Sequence, residues 1–231
     1  MAPLILNHPL YNQTIKNLER TTVRDKLLRL VQYFSRFLSY YCYRKGYSVA
    51  IVDQLKTLTK HLSLARKAFR IGKPLIAFKA LAFELGNQTA PSVLHIASIL
   101  RNLGSGTFLT LDTLVFLNIT GAYKFKPATA KLIGDTANKF WLQSMLANIG
   151  EAIYRTHVET HRIKLLRADE KASLVEIKKA EAERYQSLRM LVWNLLDSLI
   201  PLTALSVIDA NEGIVGLAGT FTAYLGLKDL W

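Results

Sequence analysis

Two stretches constrain the fold more than anything else in this chain. Leu103–Gly121 (LGSGTFLTLDTLVFLNITG) and Met190–Ile208 (MLVWNLLDSLIPLTALSVI) are each 19 residues long and carry one charge, Asp112 and Asp197. About 20 apolar residues suffice for a helix to cross a bilayer core, so both runs read as spans. A mid-bilayer Asp costs about 2.5–3.5 kcal/mol on insertion scales, which gives Asp112 and Asp197 a bundle-facing polar role or a place on a solute path. Gly213–Leu227 is uncharged but has only 15 residues, which fits a short, re-entrant or interfacial helix. Its Gly219 and Ala223 form a small-xxx-small pair suited to close helix packing. Pro91–Leu100 and Phe140–Tyr154 are shorter or more polar. Buried helices of a soluble bundle are the competing reading. Trp193, Tyr224 and Trp231 at the run ends favour membrane.

The charge is strongly asymmetric. Residues 1–90 hold 15 Lys+Arg against 4 Asp+Glu, whereas residues 190–231 hold 1 against 4. A formal net charge of +13 calls for a polyanion. Since a soluble nucleic-acid binder has no use for the apolar runs, an anionic phospholipid membrane is the expected partner and nucleic acid is not. The start, Met1–Gln13, lacks the basic n-region of a cleavable signal. Cys42 is the single cysteine, so no internal disulfide is expected.

The basic part reads as two amphipathic helices. In Thr21–Arg44, Val23, Leu27, Leu30, Val31, Phe34, Phe37, Leu38 and Tyr41 recur at 3–4 spacing and form one apolar stripe. Arg24, Asp25, Arg29, Gln32, Arg36 and Ser39 fall on the other side. Thr21 or Thr22 is the expected cap and Gly46 the expected stop. The second helix, Val49–Ile71, has the stripe Ile51, Leu55, Leu58, Leu62, Ala65 and Phe69, which is expected to enter the membrane. Lys56, Lys60, Arg66, Lys67 and Arg70, with Lys73 just beyond, are expected to hold lipid phosphates. No acidic residue occurs from Leu55 to Lys73. A helix lodged at headgroup depth adds area to one leaflet only and bends the bilayer. Packing of both stripes inside the protein is the alternative.

Arg155–Arg189 alternates in sign and reads as one long solvated helix. Its broken seam (Ile163, Leu166, Leu174, Ile177, Tyr185, Leu188, interrupted by Glu170 and Glu181) suits a partner helix or a second copy. The chain thus divides into 1–90, a basic surface-binding region; 91–154, a first membrane region; 155–189, a charged helix; and 190–231, a C-terminal membrane region. The fold class expected is all-α: N-terminal amphipathic helices and a C-terminal bundle of two to four membrane-embedded helices.

Catalytic signatures fail on inspection. His157 and His161 are four apart, but HVETH is not HExxH, and its glutamate lies two residues from each histidine. No metal and no cofactor are expected. Ile71–Pro74 (IGKP) lacks the leading glycine and the Ser/Thr of a P-loop, and no GxSxG or dinucleotide fingerprint is present. The chain does not read as an enzyme.

Several blocks in register carry a family likeness: DKLLRLVQYFSRFLSYY (Asp25–Tyr41), HLSLARKAFRIGKP (His61–Pro74), LRNLGSGTFLTLDTLVFL (Leu100–Leu117), NIGEAIYR (Asn148–Arg155) and LIPLTALSVIDANEGIVGLAGTFTAYLGL (Leu199–Leu227). In this order they resemble the peroxin-eleven family of peroxisomal membrane proteins, the fungal branch most of all. The resemblance implies a location in the peroxisomal membrane and a role in peroxisome elongation, division and proliferation. It also implies homo-oligomerisation, recruitment of dynamin-type fission machinery and a membrane-tubulating helix that corresponds to Val49–Ile71. A pore for small metabolites is the alternative activity it suggests. Two spans put both termini on one side, and the basic first 90 residues argue that this side is the cytosol. Four spans would also leave 155–189 cytosolic.

Overall fold

The computed structural model describes residues 9–86, 93–169 and 173–230, with the side chains of residues 9–12 excepted. Most of the start region, Pro91, Glu170 and Trp231 lie outside the described residues. Eight helices and no strand occur among the described residues: α1 Pro9–Glu19, α2 Thr21–Arg44, α3 Val49–Ala68, α4 Lys73–Gly86, α5 Val93–Thr120, α6 Pro127–Ala168, α7 Leu174–Ala204 and α8 Glu212–Lys228. The chain is all-α, as its periodicity and lack of strand alternation imply. Two compact units form, residues 1–71 with 209–231, and residues 72–208. The four sequence regions do not coincide with them. The C-terminal region is divided, because α8 packs on α2 while the run from Met190 belongs to the helix that packs on α6.

In the first unit α2 is the centre, with α3 on one side and α8 on another. Gly46 ends α2 as expected: it takes φ +74°, a region open to glycine without penalty, and the Tyr47 N–H reaches back to the Cys42 carbonyl at 3.0 Å. The expected N-cap differs. Thr21 is the first helical residue and Arg20 stands at the cap position without a side-chain cap bond. α8 runs antiparallel to α2, and its glycines meet aromatic residues. A Cβ on Gly213, Gly216 or Gly219 would come within 2.5, 2.6 and 2.3 Å of Tyr40, the Phe37 backbone and Tyr33 respectively. This approach is the small-residue packing that Gly219 and Ala223 announced, extended over the whole helix. Asn211 caps α8 by accepting from the Ile214 N–H at 2.9 Å.

The second unit is an up-down series, α4 on α5, α5 on α6 and α6 on α7. α5 lies against α6 through Gly104, whose missing Cβ would come 2.8 Å from the Phe140 carbonyl oxygen. Ser105 and Ser144 hydroxyls bond at 2.8 Å, and Phe108 stacks on Trp141 with centroids 5.1 Å apart. Two expectations are corrected here. Arg155–Arg189 is not one long helix but the facing ends of α6 and α7. α6 stops at Ala168, with Asp169 extended, and Ser173 starts α7 with a capping box closed by Glu176. The two ends face one another: Ile163 and Ala180 are buried, Arg162–Glu183 (3.4 Å) and Arg167–Glu181 (2.6 Å) bridge the two helices, and Leu174, Tyr185 and Leu188 of the seam are exposed. Met190–Ile208 is also not one continuous helical run, since α7 ends at Ala204 and Ser206 takes φ +56°. Among the described residues one helix, α5, is long and apolar enough to cross a membrane.

Gly104 and Gly134 separate packing from propensity. Gly104→Ala forces backbone apart and should destabilise the purified protein by about 1–3 kcal/mol. Gly134→Ala, at an open helical position, should be neutral or stabilising by up to about 1 kcal/mol. Thermal unfolding in detergent measures both, and equal responses would contradict the close α5–α6 approach.

Candidate functional site: a membrane-facing surface

The distribution of buried residues is the reverse of that in a water-soluble domain. No leucine, phenylalanine or tryptophan is buried among the described residues. The interior combines Gly, Ala and Ser and a few larger apolar residues (Val23, Tyr33, Val52, Met145, Ile163, Ile200, Val215) with Asp25, Arg29, Gln32, Arg66, Asp112, Asn194, Asp197 and Thr222. Outside stand Val31, Phe34 and Tyr41 on α2 and Ile214, Leu217, Phe221 and Tyr224 on α8, each about half exposed. In water, leaving such side chains out forgoes roughly 1.5–3 kcal/mol for each full burial. Against lipid tails there is no such loss, and close packing of small residues with internal hydrogen bonds is what holds helices together. Only 17% of the most apolar window of α5 is buried, whereas a core helix of a soluble protein would be mostly covered. The apolar stripe of α2 thus largely faces outward and its polar side inward.

The inward side of α2 carries a buried polar network. Arg66 of α3 donates to Asp25 at 3.1 Å and to the Gln32 side chain at 2.7 Å. Arg29 donates to Thr222 of α8 at 3.0 Å and lies over the Tyr33 ring at 5.4 Å. Burial pulls the Arg66 guanidinium down from its ordinary value, against the field of Asp25. At the other end of α8, Arg36 grips Glu212 with two N–H donors, one of them at 2.9 Å. That hydrogen bond, aided by the charges of Arg36 and Lys56, holds the Glu212 carboxyl below its usual value although burial opposes it. For Arg36, burial lowers the value, but the bond to Glu212 and the charges of Glu212 and Tyr33 together outweigh it and leave the value raised.

α3 has two lines of residues. Val52, Thr59 and Arg66 form the inner line, seven residues apart, with Val52 and Arg66 buried and the Thr59 hydroxyl 3.4 Å from the Gln32 carbonyl. Of the six residues expected to enter lipid, Ile51, Leu58 and Ala65 are exposed, while Leu55, Leu62 and Phe69 are half-buried along the flank. Of the six cations, Lys56 and Lys60 are exposed, and Lys67 and Arg70 half-buried. Lys73 opens α4, in the other unit. Arg66 departs from the set: committed to Asp25 and Gln32, its guanidinium is turned away from any phosphate. Sequence reading missed this because a cation among cations shows no sign of a partner 41 positions earlier. The one available signal was Asp25, the lone acid on α2.

Asp112 and Asp197 are both buried, and Asp197 accepts from the Trp193 indole N–H at 3.3 Å. They sit on α5 and α7, which pack on α6 and not on one another. His157 and His161 are exposed, and no cluster of three metal-ligating side chains occurs among the described residues.

Against known proteins, residues 11–231 match the family described as peroxisomal biogenesis factor 11. The chain belongs to the peroxisomal biogenesis factor 11 family. It is 28% identical to the peroxisomal membrane protein PMP30A of Candida boidinii, covering 98% of this chain and 96% of that one. Identity to the peroxisomal membrane protein PMP27 of Saccharomyces cerevisiae is 29%, over 98% and 97% of the two chains. Peroxisomal membrane protein 11A of Homo sapiens is 26% identical, over 90% and 91%. No solved structure matches. Membership over so much of the chain assigns both units to the family, not α3 alone.

The Arg36–Glu212 contact carries a pH signature. A carboxyl held low in the folded state stabilises above its unfolded value and loses that contribution as pH falls through the lowered one. Acidification below about pH 4.5 should therefore lower the thermal midpoint of the parent chain more than that of Glu212→Gln. Parallel pH profiles would contradict the assignment.

Proposed function

We propose that this chain is a peroxisomal membrane protein that curves and elongates the membrane and so promotes peroxisome division and proliferation. Its family is one of peroxisome biogenesis factors, and relatives are named peroxisomal membrane proteins. One observation carries the mechanism: α3 leaves an apolar line, Ile51, Leu58 and Ala65, exposed on one flank and Lys56 and Lys60 exposed on the other, with the line between them, Val52, Thr59 and Arg66, docked on α2. Aliphatic groups entering between headgroups, with ammonium groups against the phosphates, expand one leaflet and bend it. The basic first 90 residues support a cytosolic position for this face, because anionic lipid is richest on that leaflet. Self-association and engagement of dynamin-type fission machinery complete the reading and rest on the family likeness. The pore reading has no comparable observation, since Asp112 and Asp197 lie on helices that do not pack together.

The expected outcome is that Ile51→Glu with Leu58→Glu leaves the protein folded and membrane-anchored but abolishes tubulation of anionic vesicles. Insertion should fall roughly thirtyfold or more, from the loss of two aliphatic transfers of about 1 kcal/mol each. Undiminished tubulation by the doubly substituted chain would refute the mechanism.

A further inference from the structure

A cavity of about 330 Å³ lies among α5, α6 and α7, walled by charged and amide side chains. Its position in the sequence pattern is informative. Arg101 stands two residues before the apolar run Leu103–Gly121, Met190 opens the run Met190–Ile208, and Arg155 opens the charged stretch. The cavity therefore sits where the apolar part of the bundle gives way to the charged part, the level of lipid headgroups.

The charges around it divide into two poles. Glu151 holds two guanidinium groups, Arg101 at 2.7 Å and Arg155 at 2.9 Å, which leaves one positive charge in excess. Glu159 and Glu183 share the single Arg162, at 3.6 and 3.4 Å, which leaves one negative charge in excess. Arg155 and Glu159 are one helical turn apart on α6, about 6 Å along the axis. Two buried acceptors nearby lack a donor. The Asn148 Oδ1 and the Glu159 Oε2 make no hydrogen bond, 3.6 Å to Arg162 being too long for one. The Asn148 amide is not free to turn, because its Nδ2 donates to the Asn194 Oδ1 at 3.2 Å while Asn194 itself donates to the Met190 carbonyl. Unfilled buried acceptors call for N–H or O–H donors.

We propose that this cavity binds the phosphoethanolamine headgroup of a membrane lipid, with phosphate at Arg101 and Arg155 and ammonium at Glu159 and Glu183; Asn148, about 16 Å from Glu159 along α6, lies beyond that ammonium's reach. The proposal rests on immersion of the second unit in a bilayer and is independent of insertion by α3. A primary ammonium supplies three N–H donors, whereas the trimethylammonium of phosphatidylcholine has the same charge and none. Choline lipid is thus the discriminating control.

The full chain, purified in detergent, is offered equal phosphatidylethanolamine and phosphatidylcholine, and retained lipid is read by native mass spectrometry and by the thermal midpoint. Ethanolamine lipid should be retained preferentially and raise the midpoint. Glu159→Gln and Glu183→Gln should each reduce that preference roughly tenfold while vesicle tubulation continues. Equal retention of the two lipids by the unmodified chain would overturn the proposal, and needs no variant to fold. A preference unchanged in folded Glu159→Gln would do the same. Soluble phosphoethanolamine that raises the midpoint as far as the lipid does would overturn the lipid source and assign the cavity to a free solute. Loss of tubulation without change in lipid preference concerns α3 and leaves this site standing.

Discussion

Close approach between helices that have little to gain by hiding their large side chains is the constraint on which the structure depends. Where the surroundings are as apolar as leucine, burying leucine yields little, and cohesion comes from dispersion contacts at short range and from hydrogen bonds out of reach of water. The missing Cβ atoms of Gly104, Gly216 and Gly219 permit that range. Serine and threonine hydroxyls, as in the Ser105–Ser144 pair, use it. The same constraint explains why Asp25 and Arg66 are found inside. Exposed to lipid, each would need water it could not reach, so each is placed against the other.

Much of the fold was legible in the sequence because turn chemistry is local. Gly46 ended α2, Gly213–Leu227 marked α8, and Thr21–Arg44 marked the span of α2. What periodicity cannot supply is the direction in which a stripe faces. A moment vector has the same length whether oil or water lies outside, and only the number of glycines opposite α2 hinted that its polar side was the packed one. The helix break after Ala168 was likewise hidden in a run of good helix formers. It is set by Ser173 and Glu176 acting together as a capping box, a pattern legible in principle and overridden here by the alternation of charge. Pairings distant in sequence, Arg66 with Asp25 and Arg101 with Glu151, left no local trace.

The candidate surface on α3 has to reconcile two roles for one helix, and magnitudes decide how. Separating Arg66 from Asp25 would leave charges unpaired in a buried setting, a loss of about 3–5 kcal/mol. Ile51 and Leu58 are each 42% exposed, so completing their transfer to lipid gains about 1 kcal/mol apiece. Detachment of α3 is therefore the costlier route. On the proposed mechanism the helix would enter the headgroup layer while still docked, and the wedge would be the α2–α3 pair, with the exposed Val31 and Phe34 of α2 adding apolar surface to that of Leu58. A wedge two helices wide displaces more headgroup area than one, and its inner line, Val52, Thr59 and Arg66, fixes the angle at which the outer line meets the bilayer. On that reading Arg66, bonded to Asp25 and Gln32, holds α3 in orientation, a role incompatible with the phosphate contact proposed for its neighbours.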